Sequence, residues 1–109
     1  MFLDDKLYNH VKAFKVDKPE DFGVLIKELY GICEDHWKPK MIADHDAGTI
    51  SYKRLTALLD QVFNAWNLFV KKLQKENIWF AQFLADEKLS YKHAFMANEE
   101  CKRIYDKGK

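Results

Sequence analysis

Residues 51–75 read SYKRLTALLDQVFNAWNLFVKKLQK, and no Gly or Pro occurs between Ser51 and Tyr105. Within this stretch Leu55, Leu58, Leu59, Val62, Phe63, Trp66, Phe69, Val70 and Leu73 recur at steps of three and four, the spacing that puts side chains on one face of an α-helix. A weaker rhythm continues through Phe80, Phe83, Leu84, Tyr91, Ala94, Phe95, Cys101 and Ile104. One helix over all of this would be ~80 Å long at 1.5 Å per residue, too long for a compact domain. A break is therefore expected at Lys75–Asn77, with Asn77 opening a fourth helix. A second interruption is expected at Asp86–Ser90, with Ser90 capping a last helix to about Tyr105.

Working back toward the N-terminus, Leu3, Leu7, Val11 and Phe14 mark a first amphipathic helix over about 3–16. Asp17-Lys18-Pro19-Glu20 reads as a stop and a new start, since Pro suits a first turn and Asp17 with Glu20 has capping-box spacing. The second helix is expected from Pro19 to Trp37, with a stripe of Phe22, Ile26, Leu29, Cys33 and His36 flanked by Leu25, Tyr30 and Trp37. Gly23 and Gly31 weaken it unless at least one of them permits close helix contact, which is the expectation. Pro39 should end this helix and leave Lys38–Thr49 as the main loop. Thr49 or Ser51 would then cap the helix that follows. The predicted fold is all-α, one domain over 1–109, a compact bundle of four or five helices. The long central helix lies between the N-terminal pair and the C-terminal segment.

Composition agrees with a folded helical chain: 109 residues, 48% hydrophobic and 15% aromatic, with two Pro and four Gly, leave little material for a turn-rich β fold. Met1-Phe2-Leu3 runs directly into Asp4 and Asp5, unlike a secretory leader, and no apolar stretch approaches the ~20 residues that span a bilayer. With Cys33 and Cys101 read as reduced, the expectation is a cytoplasmic protein with no membrane partner.

Metal chemistry is poorly served. Cys33 and His36 have ligand spacing, and Asp44, His45 and Asp46 follow, but a structural zinc site needs a second close pair and Cys101 has none. Cys33 and His36 read better as the end of a core stripe. Gly48-Thr49-Ile50-Ser51-Tyr52 resembles the second half of an EF-hand calcium loop. Ala43, His45 and Ala47 stand where its first side-chain ligands belong and Arg54 where the bidentate Glu belongs, so the resemblance implies at most a helix–loop–helix shape without calcium. The glycines never cluster into a phosphate loop, and the Cys, His and carboxylates offer no local signature of nucleophilic catalysis. No cofactor, metal or catalytic residue is expected.

Two surfaces remain. Net charge is +1, yet residues 51–75 carry five basic side chains against one acidic, while residues 1–50 carry seven against ten. Lys53, Arg54, Gln61, Asn64, Asn67, Lys71 and Lys75 project away from the apolar stripe, a set able to meet phosphates and base edges. The second surface is apolar excess: Leu68, Ile78, Trp79 and Phe83 exceed one buried stripe, with Trp79 and Phe83 four apart on one flank of the fourth helix. The reading favoured is a non-enzymatic adaptor, inhibitor or immunity-type protein that binds another protein, with homodimerisation as one outcome of the apolar excess. A nucleic-acid-binding module using the 51–75 helix is the competing reading.

Overall fold

The computed structural model describes residues 2–48 and 50–109. The described residues form six α-helices and one 3-10 turn and no strand: α1 Leu3–Ala13, α2 Glu20–Asp46, α3 Tyr52–Lys75, α4 Ala81–Leu84, the 3-10 turn Glu87–Leu89, α5 Tyr91–Ala97 and α6 Glu99–Lys107. The predicted all-α architecture is present, with α3 as its hub. It packs against α1, α2, α4, α5 and α6, because its apolar arc is broad enough to bury Leu55, Leu59, Val62, Phe63, Trp66, Phe69, Val70 and Leu73.

Capping chemistry sets the ends of α3. Ser51 Oγ accepts the Arg54 N–H at 3.3 Å, while Thr49, the alternative cap, lies outside the described residues. At the other end Asn77 takes φ +57° and the Ile78 N–H donates to the Leu73 carbonyl at 3.1 Å, the Schellman arrangement. The break falls where predicted, but Asn77 closes α3 instead of opening α4. Ser90 caps α5 through the His93 N–H at 3.1 Å. The last helix is then divided, because Asn98 is extended and its side chain accepts the Cys101 N–H at 3.1 Å.

Helix α2 corrects several expectations. At its N-terminus the side chain of Asp21, and not that of Glu20, accepts the Asp17 and Lys18 N–H groups at 2.9 and 3.0 Å. The helix runs through Pro39 to Asp46, so residues 38–46 of the expected Lys38–Thr49 loop are helical. Pro39 lies on the solvent side, as does Asp35, whose carbonyl loses its helical donor, and water can replace that bond. The buried stripe is Leu25, Leu29, Cys33 and Trp37; His36 is exposed and Phe22, Ile26 and Tyr30 are half-buried. A Cβ at Gly23 or Gly31 would meet nothing within 4 Å, so neither mediates the expected close contact. That role falls to Gly108, where a Cβ would overlap the Tyr52 carbonyl oxygen and the Thr56 side chain.

Few polar groups join these elements inside the core. Trp37 Nε1 donates to Tyr91 Oη at 2.7 Å, Thr56 Oγ1 to the Tyr105 carbonyl at 2.9 Å, and Tyr30 Oη to the Leu89 carbonyl at 2.6 Å. Each ties the C-terminal segment to α2 or α3. Lys72 joins α3 to Asp5 of α1 at 3.2 Å and lies 4.2 Å from the Tyr8 ring centroid.

Candidate functional site

The turn between α3 and α4 meets the turn between α1 and α2, and the two bring aromatic residues together from distant parts of the sequence. Phe80 is buried and forms the base. Phe22, from the first turns of α2, lies against it with ring centroids 5.8 Å apart. Trp79 and Phe83 flank Phe22 at 5.3 and 5.7 Å, the Trp79 ring at 72° to it, an edge-on geometry that favours the aromatic pair. Although held by these contacts, Trp79 is 72% exposed and Phe83 48% exposed. Val16, Pro19, Phe22 and Trp79 border a shallow depression of about 260 Å³ beside them.

This arrangement gathers part of the predicted apolar set. Trp79 and Phe83 do share a surface, though Trp79 belongs to the turn before α4, and Phe22 bridges them where a common helix was expected. Ile78 is half-buried against the core. Leu68, 57% exposed, lies on the outer arc of α3 with Asn64 and Lys71, since steps of four and three return nearly to the same side of a helix. Phe22 was missed because its position in α2 looks like a core position. Nothing in the sequence pairs residue 22 with residue 79.

The basic arc is intact as well. Lys53, Arg54, Gln61, Asn64, Asn67, Lys71 and Lys75 are all exposed on α3, and Lys53, Arg54, Lys71 and Lys75 make no ion pair among the described residues. The arc spans ~33 Å from Lys53 to Lys75 at 1.5 Å per residue. Asp60 on the same helix accepts the Tyr105 hydroxyl at 2.5 Å.

The thiols have little nucleophilic character. Burial pushes the Cys33 thiol up to about 12 and raises that of Cys101, whereas a reactive cysteine needs a depressed value. His36 is held below its ordinary value by partial burial and by Lys6. It is exposed while Cys33 is fully enclosed. Among the described residues no three Cys, His, Asp or Glu side chains come together in a group able to hold a metal, and no helix is long and apolar enough to cross a membrane.

No protein-family model, curated protein or solved structure matches the chain.

Proposed function

We propose that the chain is a non-enzymatic cytoplasmic protein that acts by binding another protein through the Phe22–Trp79–Phe83 surface. The observation that carries this reading is the exposure of Trp79 at 72% beside Phe83 at 48%, on a base of packed aromatic rings. A large apolar side chain left in water forgoes roughly 1.5–3 kcal/mol of burial. Aromatic anchors held rigid before contact are the side chains that dominate protein interfaces, because little entropy remains to be lost on docking. Adaptors, inhibitors and immunity-type proteins work in this way, and a second copy of the chain is one partner such a surface can take.

The test is a photo-crosslinking phenylalanine analogue placed at position 83 in native cells, with the same analogue at exposed Lys27 as control. A discrete adduct from position 83 alone is expected, and one of twice the chain mass would identify the partner as a second copy. Equal labelling from both positions, or none from position 83, would contradict the proposal.

A second reading rests on Lys53, Arg54, Lys71 and Lys75 of α3, which make no ion pair among the described residues and suit a nucleic-acid backbone. It requires retention on immobilised nucleic acid that falls steeply with salt, since each phosphate contact releases counterions. Retention that is absent, or flat with salt, would remove it.

A further inference from the structure

We propose that the pocket formed where the end of α2 and the start of α3 meet α6 binds a small uncharged apolar molecule of one or two rings. Three large apolar side chains left in water converge on it: Ile42 of α2 is 54% exposed, Ile50 of the α2–α3 connection 39% and Tyr52 of α3 38%. Leu55 of α3, which is buried, and Ile104 of α6, which is half-buried, continue the apolar lining. The segment that resembles half a calcium loop therefore contributes Ile50 and Tyr52 to an apolar wall in place of oxygen ligands. The volume is about 260 Å³, just below the ~300–1,000 Å³ of sites for drug-sized ligands, which sets the size of the guest.

Charge decides against an ionic guest. The charged and imidazole side chains lining the pocket are Glu100, Arg103 and His45. Arg103 donates to Glu100 one turn earlier on α6, so their two formal charges cancel at the mouth. His45 Nδ1 has Asp46 Oδ1 at 3.7 Å, a counter-charge whenever the ring is protonated. Lys107 Nζ, 5.0 Å from the Tyr52 ring centroid, does not line the pocket. An ion seated on this apolar lining would give up water and meet no uncancelled opposite charge, an unfavourable exchange. An uncharged guest loses little hydration and covers apolar surface of Ile42, Ile50 and Tyr52 that otherwise stays in water. The pocket lies at the other end of α3 from Phe22, Trp79 and Phe83, ~36 Å away along a helix of 24 residues, so neither site obstructs the other.

Naphthylmethanol is the probe, with naphthoate and naphthylmethylammonium as its anionic and cationic counterparts on the same rings. The methyl resonances of Ile42, Ile50 and Ile104, each assigned by its Val variant, are the readout, and the Trp79 indole N–H reports on the distant aromatic surface. Naphthylmethanol is expected to move the three methyl signals with half-saturation below about 1 mM, at least about tenfold tighter than either ion. Ile42→Glu, at an exposed position, should weaken it at least about tenfold, whereas Leu68→Glu, exposed elsewhere on α3, should leave it unchanged. Ile42→Asn serves the same comparison if Ile42→Glu disturbs folding. Glu100→Gln leaves Arg103 without its partner and should raise naphthoate affinity about threefold, as for an exposed ion pair. Methyl signals unmoved by naphthylmethanol, an ion bound as tightly, a response confined to Trp79, undiminished binding by a folded Ile42 variant, or no gain for naphthoate in Glu100→Gln would each overturn the proposal.

Discussion

Replacing Pro39 by Ala should stabilise this protein. Pro39 lies inside α2, seven residues before its last residue Asp46. It cannot donate to the carbonyl of Asp35, and a proline in a helix interior costs about 3 kcal/mol relative to Ala. Two effects reduce the net gain. Asp35 is exposed, so water already satisfies part of its carbonyl, and the proline ring stiffens the unfolded chain by about 0.4–1 kcal/mol. The remainder is about 1–2 kcal/mol. Pro39 is itself exposed, so its removal takes no packing away from the core. For a domain near 100 residues that gain raises Tm by about 4–8 °C, readable in a thermal melt followed by circular dichroism. An unchanged or lowered Tm would refute the continuous helix and restore the reading in which the chain turns at Pro39.

Tyr91→Phe should destabilise by about 1–3 kcal/mol, because it removes the acceptor of Trp37 Nε1 inside the core; a denaturant midpoint equal to wild type would show that this bond contributes nothing. Stability should also fall in alkali. Burial pushes Cys33 up to about 12, a hydrogen bond to Asp60 and burial push Tyr105 up to about 12, and burial raises Tyr91 and Tyr30. The unfolded chain releases these protons nearer pH 9–10 while the folded chain retains them, so stability is full below about pH 9 and is lost as pH rises toward 12. A urea midpoint that stays constant between about pH 8 and pH 10.5 would contradict that linkage.

The sequence carried most of the architecture because α3 states it locally: a run without Gly or Pro, an unbroken three-four stripe, and Ser51 in capping position. Ser90 was legible for the same reason. The misreadings arose where tertiary context overrode a local rule. Pro39 is tolerated because its side of α2 faces water, and Asn77 was taken for a start signal when its left-handed backbone makes it a stop. Asn98 divides the C-terminal segment where one helix from Ser90 to about Tyr105 was expected, because its side chain caps the Cys101 N–H. In the aromatic surface, the surplus of Trp79 and Phe83 could be counted from sequence, but Phe22 could not be added, since periodicity assigns a residue to a face and not to a neighbour 57 positions away.

The most direct test of the account is the Trp79→Ala/Phe83→Ala variant, measured by thermal melting and by quantitative binding to the partner that crosslinks at position 83. Trp79 is mostly in water and about half of Phe83 is, so Tm should stay within a few degrees of wild type, whereas truncating a core aromatic costs about 3–5 kcal/mol. Affinity should fall by about 2 kcal/mol or more, roughly thirtyfold, as for interface hot spots. A collapse of the melt would place these residues in the core, and an unchanged melt with unchanged affinity would show that the Phe22–Trp79–Phe83 surface is not where the partner binds.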